Sequence, residues 1–139
     1  MNNALKTPSV TPAAGRLLMS IIFILSGVGK LAAPAATIGY IASTGLPLAT
    51  LGYAAAVTIE LGGGLLLLAG YQTRLVALVL AAFSIVTGLI FHHAFGDQNQ
   101  MIHFLKNLAM AGGLLQVAAF GAGAFSIDAR TPKLGHQAA

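Results

Sequence analysis

The chain has 139 residues, room for a single domain. Hydrophobic residues make up 57% of it, charged residues only 7%, and the net charge is +4. A water-coated domain carries about 25% charged residues, so this composition argues against a soluble fold and for a membrane protein. The absence of cysteine rules out disulfides, thiol relays, cysteine-held zinc and iron–sulfur clusters. The basic residues are scattered and form no continuous face, which argues against nucleic acid as a partner.

A bilayer span needs about 20 apolar residues, and the chain offers four such stretches: 12–31, 47–69, 74–95 and 100–122. Residues 1–11 form a polar tail, 12–125 the membrane domain, and 126–139 a second tail expected to be loosely ordered. Thr11 and Pro12 suit the cap and first turn of span one, and Thr73 is a candidate N-cap for span three. Residues 33–44 open at Pro34, stop at Gly45 and are too short to span, so they read as an interfacial helix or re-entrant turn. The fold expected is therefore an all-α membrane protein, a four-helix transmembrane bundle with a short interfacial helix between spans one and two. A competing reading, a leader with residues 17–29 as its apolar core and AAPAA as its cleavage region, suits the sequence less well. Its core lacks a small polar exit before Lys30, and three further spans follow.

With four spans both termini share a side, and Lys6, Arg16, Arg74, Arg130 and Lys133 all fall there, while loop 96–99 carries only Asp97. The positive-inside rule then places both termini in the cytoplasm. No tryptophan is present, so an interfacial aromatic belt falls to Tyr40, Tyr53, Tyr71 and the phenylalanines. A weak internal echo pairs Arg16 with Arg74, Ser26 with Ser84, and the GGLL at 63–66 with that at 112–115, a pattern that either duplication or composition produces.

Helical periodicity gathers the polar residues of each span into one stripe. His103, Lys106 and Asn107 share a face of span four, Glu60 lies beside Gly63 and Gly64 on span two, Ser84 and His92 share a face of span three, and Ser26 lies one turn from Lys30 on span one. Small residues admit close helix approach in lipid and polar ones avoid the hydrocarbon, so the stripes should face one another. At about 1.5 Å per residue, Glu60, Ser26 and Ser84 fall about 15 Å above the cytoplasmic ends, Lys30, Lys106 and Asn107 about 21–25 Å, and His92 about 27 Å.

Glu60 is the one acid inside a span and requires a cation or its own protonation. Lys106 is the first choice of partner and Lys30 the second. Glu60, Lys106 and His92 are thus the candidate catalytic groups, and Ser26, Lys30, Ser84, His93, His103 and Asn107 the candidate ligand contacts. The competing role for Glu60 and Lys106 is architectural, because buried ion pairs often only hold a bundle together. His92, His93 and His103 could bind metal or haem, but no carboxylate at ligand spacing accompanies them. Hydrogen bonding, including to a quinone carbonyl, suits them better than metal or haem.

The ordered motifs GRLLMSIIFILSGVGK, IASTGLP, ELGGGLLLLAGYQTR, FHHAF and QMIHFLKNLAMAGGLL resemble the DoxX family of small four-span bacterial membrane proteins. The resemblance runs from Gly15 to Asp128 and carries Lys30, Glu60, His92, Lys106 and Asn107 as motif positions. It implies a plasma-membrane protein linked to quinone-coupled oxidation or redox stress, either an oxidoreductase or an accessory subunit of one. The expected partners are the bilayer, a quinone or other small lipophile, a redox subunit and further copies of the chain. The alternatives are a non-catalytic anchor that recruits soluble redox enzymes, and a small transporter or lipid-binding module.

Overall fold

The computed structural model describes residues 9–131 and is helical throughout its ordered elements. Lys6, Lys133 and His136 lie outside the described residues. Six helices follow in order among those described: α1 (Thr11–Ala32), α2 (Pro34–Ser43), α3 (Ala49–Ala69), α4 (Thr73–Phe91), α5 (Gln98–Phe120) and the single-turn α6 (Ile127–Arg130).

The boundaries follow from local chemistry. α1 starts one residue earlier than expected: Val10 is its cap position, Thr11 is already helical, and Pro12 occupies the first turn, where its missing N–H costs nothing. Ala33 adopts φ −138°, as a residue before proline must leave the α region, and Pro34 opens α2. Pro47 and the left-handed Leu48 (φ 58°) delay α3 to Ala49. Gly70, at φ 69°, closes α3 with paired bonds from Tyr71 N–H to Leu66 O (3.0 Å) and Gly70 N–H to Leu67 O (3.2 Å), a Schellman ending that glycine alone adopts without strain.

Two expectations are corrected. Span three was expected to reach residue 95, but α4 stops at Phe91, because the chain turns at His92 (φ −133°) and Asp97 then caps α5 by accepting from Gln100 N–H at 2.9 Å. Thr73 is not a cap: it is the first residue of α4, and the cap comes from Asp128, whose carboxylate accepts from Gln72 N–H at 2.8 Å and Thr73 N–H at 2.9 Å. The start of the second tail is therefore docked, not loose. Asp128 N–H also donates to Gly70 O at 2.9 Å, and Ser126 caps α6.

Among the described residues three helices, α1, α3 and α4, are long and apolar enough to cross a membrane. α5 has 23 residues but is diluted by His103, Lys106 and Asn107. The tightest helix pairs are α4 with α5 and α1 with the second half of α3. A Cβ on Gly27 would fall 2.9 Å from Leu61 Cβ, and one on Gly64 2.9 Å from Ile24, so the close approach of α1 and α3 requires both glycines. Phe23, Leu67, Leu80, Ala81, Ala111 and Leu114 fill the core. Leu18, Leu25, Leu75, Val86, Leu105 and Leu108 point outward and are about half exposed or more. Such an apolar outer belt suits a lipid medium.

Candidate functional site

The site begins in a defect of α3. Residues Thr58–Gly62 wind as a π-turn, which inserts an extra residue into the helix, a feature common at functional sites. Glu60 sits inside this turn and is 7% exposed. The turn packs against the last half of α1, where Gly27 admits Leu61 and leaves Lys30 one turn further along. Lys30 Nζ lies 2.8 Å from Glu60 Oε2 and donates to Ser26 Oγ at 2.8 Å. The ammonium approaches Oε2 off the hydrogen-bonding direction, so this buried oxygen is held by charge with no aligned donor. Tyr53 OH donates to Lys30 O at 3.3 Å and ties the end of α1 to α3.

This corrects the expected pairing. Lys30, not Lys106, is the partner of Glu60. The two lysines were close in estimated depth, so neighbouring helices decide the outcome: α1 lies against the π-turn, whereas α5 packs chiefly on α4. Lys106 makes no ion pair among the described residues.

A cavity of about 710 Å³ opens beside the pair, between α1, α2, α3, α4 and α5. Ser26, Lys30, Glu60, Ser84, His92, His103, Lys106 and Asn107 all line it, so eight of the nine residues singled out from the sequence converge on one space. His93 is the exception: it is exposed, with Nδ1 3.0 Å from Ile90 O. On the cavity wall the His92 and His103 rings stack with centroids 5.0 Å apart, and His92 Nδ1 lies 3.0 Å from Gln100 Oε1. Asn107 Nδ2 donates to His103 O at 3.0 Å and keeps a second N–H, whereas Ser84 Oγ donates its one proton to Leu80 O at 2.9 Å and is left as an acceptor. No group of three or more His, Asp or Glu with metal-binding geometry occurs among the described residues.

Sequence reasoning missed the apolar wall. α2 contributes Thr37, Tyr40 and Ile41 to the cavity, and Tyr40 stacks on Phe91 of α4 at 5.4 Å. The missing signal was the position of α2 over the bundle, which no periodicity reports.

It also missed the opposite end. Arg16 was read as a marker of topology and of the internal echo with Arg74, not as structure, yet it is 2% exposed. Its Nε donates to Ala122 O (3.0 Å), Nη1 to Leu67 O and Leu68 O (2.9 Å each), and Nη2 to Phe125 O (2.6 Å). It thereby pairs with carbonyls at the end of α3, sharing Leu67 O with Gly70 N–H, and with others after α5, where the helix dipoles favour a cation. A Cβ on Gly70 would meet Nη1 at 2.6 Å. Nearby, partial burial pushes the Asp128 carboxyl up, but Thr73, the amides of Thr73 and Gln72 and the Arg16 charge outweigh it and hold Asp128 below the ordinary carboxylate range. The position of Arg16, a full turn inside an apolar helix, was the available signal.

Residues 11–93, more than half of the chain, match the DoxX family. The chain belongs to the DoxX family. It is similar to the inner membrane protein YqjF of Escherichia coli (strain K12), 39% identical over 123 residues that cover 88% of this chain and 93% of the relative. It is also similar to the inner membrane protein YphA of the same organism, 35% identical over 120 residues covering 83% and 86%. No solved structure matches. Within this DoxX protein the matched segment includes Lys30, Glu60 and the π-turn, so the ion pair lies inside the part of the chain that matches the family.

Proposed function

We propose that this DoxX protein is a multi-pass inner-membrane protein whose cavity binds the head group of a quinone or a similar small lipophile in quinone-linked redox chemistry. α1, α3, α4 and α5 are its four spans, α2 lies at the outer interface, and both termini face the cytoplasm. One observation carries the reading: polar side chains from four helices converge on a single cavity whose remaining wall is aromatic and aliphatic. A volume of about 710 Å³ falls within the range of small-molecule sites. A quinone ring has apolar faces for Tyr40, Phe83 and Phe91 and carbonyl oxygens that accept from the Lys106 ammonium and a histidine ring nitrogen. The Glu60 carboxylate is the group for proton exchange inside the membrane, and His92 and His103 line the same cavity as further proton-carrying groups. The chain has no cysteine for a thiol relay, so electrons come from a partner subunit, a bound cofactor or two-electron exchange with a second quinol.

The test is direct. The protein is purified in detergent, its lipids are extracted and analysed for quinone, and the stripped protein is titrated with a short-chain quinone. Co-purified quinone and saturable binding that weakens in Lys106→Gln support the reading. A stripped, folded protein that binds no quinone refutes it.

A further inference from the structure

The charges around the cavity do not balance. Its lining holds two ammonium groups, Lys30 and Lys106, and one carboxylate, Glu60. Glu60 is matched with Lys30 at 2.8 Å, and Ser26 takes a second donor of that lysine. Lys106 is left over, eight residues into α5 and so about 12 Å from its start.

The neighbours offer it no counter-charge. α4 presents Ser84 and Thr87, whose hydroxyls donate to Leu80 O and Phe83 O. α2 presents Thr37, which donates to Ala33 O at 2.9 Å, and Tyr40. α5 itself adds His103 and Asn107. None of these is an acid, and Glu60 is the one acid on the wall. A cation at this depth in a bilayer is costly without a counter-ion.

We propose that the cavity selects a lipophile whose head group carries an anionic oxygen, and that Lys106 is the residue that holds it. The inference rests on the reading of the cavity as a lipophile site and names the class of head group. The anion sits on the Lys106 side, because near Lys30 it meets the Glu60 charge. Lys106 supplies charge-assisted hydrogen bonds, and the apolar walls take the tail. Two sources share this chemistry: an acidic quinone in its enolate form, and a fatty carboxylate.

The test uses matched probes on the full-length protein in detergent: a long-chain hydroxynaphthoquinone, which is ionised at neutral pH, its uncharged methyl ether, and dodecanoate. The acid should bind about tenfold tighter than the ether, as a charged hydrogen bond implies. Lys106→Gln should abolish the difference and Lys106→Arg should keep most of it. Equal binding of acid and ether by the native protein overturns anion selection and leaves the quinone site standing. A preference that survives in Lys106→Gln overturns the role of Lys106. Lys106-dependent binding of dodecanoate without either quinone supports the anionic head group and removes the quinone. No binding of any probe removes both. If Lys106→Gln does not fold, the acid-to-ether ratio of the native and Lys106→Arg proteins decides.

Discussion

The two ends of this bundle each bury a charged group, and they treat it in opposite ways. At one end Arg16 spends four of its five N–H donors on backbone carbonyls and a Cβ on Gly70 would collide with it, so little donor capacity or space remains. At the other, Glu60 and Lys30 face a cavity of about 710 Å³, and Glu60 Oε2 has no aligned donor. A charge that closes a structure is saturated by the chain itself. A charge set beside open space, with an unmatched lysine nearby, is available to something else. The difference separates an architectural cluster from a binding site inside one small protein.

Breaking the saturated end should have the largest effect on stability. Arg16→Ala leaves several buried carbonyls unpaired and should cost about 3–5 kcal/mol, read as a fall in melting temperature in detergent. Arg16→Lys should recover part of this, since an ammonium reaches fewer of the carbonyls. At the open end, Glu60→Ala should cost about 1–3 kcal/mol, less because Lys30 remains partly accessible. The double variant Lys30→Met/Glu60→Met should be more stable than Glu60→Ala, because it removes both charges together. If all three melt alike, the pair does not couple the helices.

Smaller effects sharpen the same contrast. Tyr40→Ala removes the stack on Phe91 and should cost about 1 kcal/mol while weakening any lipophile bound beneath α2. Asp128→Asn should cost about 0.5–1 kcal/mol through loss of the cap on α4. The sign of its pH dependence follows from its lowered folded-state pKa. Asp128 stabilises the fold above the unfolded carboxylate pKa, and this is lost as pH falls through the folded value. Comparing acid melts of the native protein and Asp128→Asn should show a steeper loss in the native protein.

Much of the site was legible because membrane depth and helical period are both readable from sequence. Ser26, Lys30, Glu60, Ser84, His92, His103, Lys106 and Asn107 share a cavity as their stripes predict. The choice between Lys30 and Lys106 was not legible, because it depends on which helix packs on the π-turn, and a π-turn leaves no periodic mark. The end of α4 was misjudged by four residues because FHHAF continues the apolar pattern while the backbone already turns at His92. Arg16 and Asp128 were missed as structure for a related reason. Their partners are backbone carbonyls and amides, and backbone groups carry no sequence signature.

The central claim, that one charged end is a ligand site and the other only holds the fold, is tested most directly by one paired measurement. Melting temperature and quinone affinity are measured together for the native protein, Lys106→Gln and Arg16→Lys. Lys106→Gln should weaken binding about tenfold with little change in melting temperature, because Lys106 makes no ion pair among the described residues, and Arg16→Lys should melt earlier while its folded fraction binds as the native protein does. Equal losses of affinity in both variants, or unchanged affinity in Lys106→Gln, would contradict the account.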